Sequence, residues 1–118
     1  MPAKIKNEFG TITIENEVIA RVAGLAAMDC AGIVGMAARG VKDGIVQILK
    51  RENLSTGVTL SVAETGLTVG MHIIVKYGTN IAVVCETLVD TVLYTVEKTT
   101  GLAVEKINVF VEGVRGEY

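Results

Sequence analysis

The single histidine of this 118-residue chain is the first residue that could carry chemistry. His72 has the properties of a general base or of a metal ligand. Because it alternates with Met71 and Ile73 along a predicted strand, its side chain points to the polar side of that strand. Catalysis by a histidine base also requires an orienting carboxylate and a nucleophile, and the neighbouring sequence supplies neither. His72 is therefore predicted to be a solvent-facing strand residue.

The two cysteines are the next candidates, and both lie in apolar stretches far apart in the sequence. Cys30 and Cys85, together with one histidine, cannot complete the four ligands of a structural zinc site. Lys4 and Lys6 near the N terminus are not followed by the apolar run of a signal peptide, so an oxidising compartment is not expected. Both cysteines are predicted to be buried, reduced thiols, and no metal or cofactor is expected.

Three carboxylates, Glu86, Asp90 and Glu97, share the outer side of a predicted long helix and could attract a cation or a basic partner. A glycosidase-type acid–base pair needs one carboxyl group in an apolar setting, which this helix face does not offer. The three residues are predicted to form a solvated face.

Two glycine pairs have the spacing of phosphate-binding loops. Gly32–Gly35 matches the clamp loop of KH-type RNA-binding domains, but its middle residues are apolar. Gly40–Gly44 lacks the Lys-Ser/Thr ending of a nucleotide-binding P-loop. Both are predicted to be turns. The densest basic region is predicted to be a solvated face and contains Arg39, Lys42, Lys50 and Arg51. No catalytic, cofactor-binding or metal-binding residue is predicted.

Composition argues against nucleic acid and against a membrane span. The net charge is −2, and aromatic residues make up 4 % of the chain, too few for a base-stacking surface. The apolar stretch Val22–Ala38 contains Asp29 and is shorter than the ~20 residues needed to cross a bilayer. Half of the residues are hydrophobic, which is enough for the core of one domain.

Periodicity in the first half predicts short elements. Thr11–Ile14 reads as a strand, and a helix capped by Asn16 should follow and run to about Met28. The helix residues predicted to face inward are Val18, Ile19, Val22, Leu25 and Ala26. Gly32–Met36 reads as a short buried strand. Asp43 could cap a second, short helix that presents Ile45, Ile48 and Leu49 to the core.

The second half shows stronger patterns. Two alternating runs, Val58–Ala63 and Leu67–Tyr77, predict an antiparallel hairpin. A long helix capped by Thr79 or Asn80 follows and ends at a left-handed Gly101. The apolar stripe predicted for this helix is Ile81, Val84, Cys85, Leu88, Val92, Leu93 and Val96, with Val89 at its side. A last strand carries Val104, Ile107, Val109 and Val111.

The element order β-α-β-α-β-β-α-β predicts an α+β fold, a small sheet of mixed or antiparallel strands with helices packed on one face. One domain should span residues 10–114, between an N-terminal tail of residues 1–9 and a C-terminal tail of residues 115–118. Small α+β domains without a site often act by association, through strand addition or a helix face.

Three blocks of sequence resemble one known family. They are Gly10–Ala20 leading to Ala23–Ala26, Tyr77–Ile81 after the long strand, and Val96–Val114 at the end. Their order and spacing resemble the alkaline shock protein 23 (envelope stress response) family of Gram-positive and related bacteria. Glu15 departs from the family pattern, in which serine is common at this position.

The resemblance implies a cytoplasmic protein that works at the inner face of the cell membrane in the envelope stress response. In some family members a small membrane-anchor protein provides attachment, and the protein self-associates. The family has no established catalytic residues, so a non-enzymatic interaction or scaffold protein is expected, without direct membrane insertion. Two alternatives stay open: an RNA-binding module, and an accessory or ligand-binding subunit of a neighbouring enzyme.

Overall fold

The structure, a computed structural model, describes residues 2–37 and 56–116 of the chain. The element order of the described part confirms the α+β class. The elements are β1 (Ala3–Asn7), β2 (Gly10–Ile14), α1 (Asn16–Met28), β3 (Ile33–Met36), β4 (Val58–Ala63), β5 (Gly66–Lys76), α2 (Ile81–Thr100) and β6 (Val104–Arg115). The short helix predicted after Asp43, the Gly40–Gly44 pair and the basic cluster lie outside the described residues.

Strand β5 is the centre of the main sheet. On one side it pairs antiparallel with β4 along its first half and with β3 along its second half. On the other side it pairs parallel with β6, so the sheet is mixed. Parallel neighbours need a crossover connection, and α2 provides it. The register Ala63↔Gly66 confirms the predicted β4–β5 hairpin, with Glu64 and Thr65 in its loop.

Both described helices contribute to the core on one face of this sheet. Alternate residues of β5 are buried toward them, as the pattern predicts: Leu67, Val69, Met71, Ile73 and Val75. Helix α2 contributes a stripe of buried aliphatic side chains at four-residue spacing: Val84, Leu88, Val92 and Val96. Burying each such aliphatic side chain contributes about 1.5–3 kcal/mol, so this interface holds α2 against the sheet.

Helix α2 ends as its sequence predicts. The side chain of Asn80 accepts a hydrogen bond from the backbone N–H of Val83, which identifies it as the N-cap. Gly101 follows the helix at φ 74°, and its N–H donates to the carbonyl of Glu97. A left-handed residue at this position favours glycine because it has no Cβ.

Helix α1 is rotated relative to the prediction. Its buried residues are Ile19, Ala20, Ala23, Gly24, Ala26 and Ala27. Val18 is 53 % exposed, whereas Val22 and Leu25 pack only at the border of the core. This buried face consists mainly of small side chains, and α1 packs against α2 as well as against β3 and β4. Tight packing of small residues decides the orientation here, and the larger aliphatic side chains lie at the edge.

The predicted N-terminal tail contains a strand that sequence reasoning missed. Strand β1 pairs with β2 as a two-stranded hairpin, from Ala3↔Ile14 to Asn7↔Gly10. The Asn7 side chain accepts the N–H of Phe9 at 2.8 Å and closes the turn. At the other end of the chain, β6 continues past Val111 to Arg115, which was predicted to be the first residue of the C-terminal tail.

The start of α1 also differs from the prediction. Asn16 is the first helical residue, Glu15 occupies the N-cap position, and no side chain caps the helix. In the described part of the chain, the Asn16 side-chain oxygen is buried without a hydrogen-bond partner. Asparagine is a common N-cap residue, which is why Asn16 was predicted to be the cap, but the helix begins one residue earlier than predicted.

Candidate interaction surfaces

His72 lies on the sheet face opposite the helices, as predicted, but it is not a solvent-facing residue. Its side chain is only 15 % exposed. The imidazole stacks on the ring of Phe110, with centroids 4.8 Å apart and planes at 16°. His72 Nδ1 lies 3.2 Å from Glu112 Oε1. The parallel β5–β6 pairing therefore supplies the carboxylate that the local sequence lacks.

His72, Phe110 and Glu112 form a contact between strands β5 and β6. The imidazole contacts the ring of one β6 residue and the carboxylate of another. Phe110 is paired directly with His72 in the sheet register. Stacking and the polar contact together tie the edge strand to the central strand.

Strand β6 carries two register shifts, and a glutamate sits at each. The pairing passes from Val104 to Lys106 and from Val111 to Gly113, which leaves Glu105 and Glu112 as the extra residues. Glu105 accepts a hydrogen bond from the Thr65 hydroxyl at 2.9 Å, as Glu112 reaches His72. Bulges on edge strands increase twist and re-aim side chains.

A groove runs between α2 and β6. Cys85 and Val89 from the helix and Ile107 and Val109 from the strand line a cavity of about 500 Å³. A second cavity of about 140 Å³ shares Val89 and Ile107 and continues the groove past Leu93, Val104, Glu105 and Lys106. The groove stays open because Cys85, Ile107 and Val109 lie at the border of the core and are only partly buried.

The predicted acidic face divides into two parts. Glu86 and Asp90 are exposed and border the larger cavity, so the groove has an apolar floor and an acidic rim. Glu97 is separate, since its Oε2 accepts the backbone N–H of Val104 at 3.0 Å. Within the described residues, no three His, Cys, Asp or Glu side chains are grouped to hold a metal ion.

The two cysteines are free thiols in different surroundings. Cys30 is buried, and its thiol donates to the Ala26 carbonyl at 3.6 Å. Cys85 is only half-buried and lies in the groove, which corrects its predicted burial. Burial raises the pKa of the Cys85 thiol above its ordinary value because it disfavours the charged thiolate.

The glycine pair that suggested RNA binding lies at the start of β3, with one glycine in a turn and the other in the strand. Residues from Ile33 onward form β3, and Gly32 lies in the preceding turn. A Cβ at Gly32 would lie 2.7 Å from a methyl group of Val84, so helix α2 covers this position. A phosphate clamp needs exposed backbone N–H groups, which a covered turn and a paired strand do not present.

The β1–β2 hairpin is a second exposed apolar feature. Phe9 in its turn is 91 % exposed, and Ile12 is 54 % exposed. Ala3 at the base is buried in the core. Lys4 and Lys6 are exposed on the hairpin face that alternates with the isoleucines. The base of the hairpin is thus attached to the domain, while its turn presents an aromatic ring and one face of β1 presents two cations.

These features define a small α+β domain whose described surfaces are a groove, a sheet edge and a projecting hairpin. The chain belongs to the alkaline shock protein 23 family, described as having a cell envelope-related function, which matches residues 4–116. This match confirms the resemblance to the family that the three blocks of sequence indicated. Neither helix in the described part is both long and apolar enough to span a bilayer.

Relatives of the chain match over most or nearly all of their length. The Bacillus subtilis protein "Uncharacterized protein YloU" is 47 % identical over 116 residues, covering 98 % of this chain and 97 % of the relative. The Streptococcus pyogenes protein "Uncharacterized protein Spy1614" is 31 % identical over 116 residues, covering 98 % and 96 %. "Uncharacterized protein YqhY" of B. subtilis is 29 % identical over 108 residues, covering 91 % and 78 %. No solved structure is significantly similar to the chain.

Proposed function

We propose that this chain is a non-enzymatic, cytoplasmic interaction protein of the cell envelope. It acts near the inner face of the membrane, by self-association and by contact with a small membrane-anchor protein or another envelope protein. The family provides the envelope context. The observation that carries the proposal is the groove between α2 and β6, which exposes aliphatic side chains under an acidic rim.

The groove has the composition of a protein contact. In its larger part the floor is aliphatic apart from the Cys85 thiol, and the carboxylates of Glu86 and Asp90 lie at the border. Glu105 and Lys106 border its continuation. Interfaces of this kind combine an apolar centre with a polar rim, and the rim charges select the partner. A binding partner would therefore offer apolar side chains flanked by lysine or arginine.

Affinity capture from separated membrane and soluble fractions tests the proposal. Wild-type bait should recover a membrane protein of the envelope together with untagged copies of itself. The double variant Glu86→Lys/Asp90→Lys should lose most of this recovery, because it reverses the rim charge without touching the core. The matched control Asp29→Lys/Glu64→Lys changes two exposed carboxylates away from the groove and should retain it.

Two results would contradict the proposal. One is a wild-type bait that recovers neither a membrane protein nor a second copy. The other is a groove variant that recovers the same proteins, in the same amounts, as the control. Circular dichroism of each variant shows that the comparison is made between folded proteins.

The accessory-subunit alternative keeps some support from the same groove, since its volume lies within the range of small-molecule sites. A ligand there would be apolar with a cationic group, to suit Glu86 and Asp90. Titration of isotope-labelled protein with alkylammonium compounds tests this. Shift changes confined to Val89, Ile107 and their neighbours would support it, and unchanged spectra would exclude ligands of that class.

A further inference from the structure

The β1–β2 hairpin exposes apolar surface that its own chain does not cover. Ile5 lies over Gly101, but its cross-strand neighbour Ile12 and the turn residue Phe9 remain largely exposed. A two-stranded hairpin is marginally stable unless one face packs against something. Large exposed aromatic and aliphatic side chains grouped in this way mark contact sites.

The α2–β6 groove has the complementary properties. Its floor is formed by Val89, Ile107 and Val109. The cavity above this floor has a volume of about 500 Å³, which is enough for an aromatic side chain. Its rim carries Glu86 and Asp90. Apolar surface and opposite charge therefore occur together on the two features.

The hairpin carries positive charges that are opposite in sign to the carboxylates of this rim. Lys4 and Lys6 are two residues apart on one strand face, so both cations project to the same side. Glu86 and Asp90 are four residues apart on one helix face, so both anions do likewise. Phe9 is 91 % exposed in its own chain, so it does not fill its own groove.

We propose that the hairpin of one copy docks into the α2–β6 groove of a second copy. Phe9 enters the apolar floor, and Lys4 and Lys6 pair with Glu86 and Asp90. The contact joins two different surfaces of the same chain, so copies can add head to tail. This inference rests on the self-association part of the proposed function and assigns the surfaces that produce it.

Charge reversal with rescue is the main test. Lys4→Glu/Lys6→Glu and Glu86→Lys/Asp90→Lys should each weaken self-association on the order of tenfold or more, since two attractive pairs become repulsive. The mass distribution is measured by analytical ultracentrifugation at low salt. Mixing the two variants should restore association, because each then meets an opposite charge. Loss of folding cannot produce such rescue.

A chemical cross-link provides a second test with a positional readout. Phe9→Cys places a thiol at the hairpin tip, and a short bismaleimide should join it to Cys85 of another copy. Peptide mapping identifies the linked pair, and mixing differently tagged chains shows that the link is between copies. The control Val18→Cys, at an exposed position on α1, should form far less of the link to Cys85.

The outcomes separate this contact from the broader proposal. If the charge variants associate as strongly as wild type, or if mixing gives no rescue, the hairpin–groove contact is overturned. Capture of the envelope partner by Lys4→Glu/Lys6→Glu, which leaves the groove unchanged, would leave the proposed function standing. A chain that stays monomeric at its highest attainable concentration overturns the contact, and capture from the membrane fraction then decides the proposed function independently.

Discussion

At the residue scale, the contact between His72, Phe110 and Glu112 holds the edge strand to the sheet. His72→Ala removes a stacked ring and leaves the Glu112 carboxylate without this neighbour, so we expect the free energy of unfolding to fall by about 1–2 kcal/mol. Urea denaturation measures the loss. Thr68→Ala, on the same face of the same strand, is the control and should cost less. Equal losses would show that the cluster adds nothing.

Cys85 gives a second prediction at this scale, because its raised pKa has a direct chemical consequence. The thiolate is the nucleophile, so alkylation of the folded protein should reach half its maximal rate at a higher pH than alkylation of the urea-unfolded chain. A Cys30→Ser background leaves Cys85 as the sole thiol. Iodoacetamide rates measured against pH supply both profiles. A folded midpoint at or below the unfolded one would contradict the role of burial.

At the element scale, two asparagines near helix starts should differ in their effect. Asn80→Ala removes a side-chain hydrogen bond to the Val83 N–H and should destabilise the protein by about 1 kcal/mol. Asn16→Ala removes an oxygen that has no hydrogen-bond partner in the described part, so it should be neutral or slightly stabilising. Thermal denaturation of both variants compares them. A larger loss from Asn16→Ala would mean that Asn16 is a cap after all.

The same elements show when an element can be predicted from sequence. Prediction succeeds where a hydrophobic pattern repeats over many residues of one continuous segment. The stripe of α2 and its caps at Asn80 and Gly101 follow from spacing and residue type within one segment. The predicted inward face of α1 is wrong because alanine contributes little to a hydrophobic pattern. In the structure, close packing against α2 buries the alanines and outweighs the pattern of the larger side chains. Strand β1 was missed because its alternation covers only five residues, and its partner determines whether so short a strand forms.

The candidate surfaces were less accessible to prediction because they depend on pairing over long distances. The groove requires the parallel placement of β6, and no local pattern states which edge of β5 a later strand will join. His72 and Glu112 are forty residues apart and meet only through that register. The exposed carboxylates Glu86 and Asp90 were identified as a face, but their rim position appears only when Ile107 and Val109 lie beside them.

At the scale of the whole molecule, β5 connects the parts, since β3, β4 and β6 all pair with it. Gly70 lies where β4 and β6 flank this strand, and an added Cβ would collide with the Thr59 hydroxyl and lie 3.6 Å from the Phe110 ring. Gly70→Ala should therefore lower the free energy of unfolding by about 1–3 kcal/mol. Adding Thr59→Ala removes the colliding oxygen and should recover part of the loss, which a double-mutant cycle in urea measures. Losses that simply add would show that strain at Gly70 does not pass through Thr59.

If recovery is seen and the transitions followed by circular dichroism and by hydrogen exchange coincide, the strands around β5 unfold as one cooperative unit.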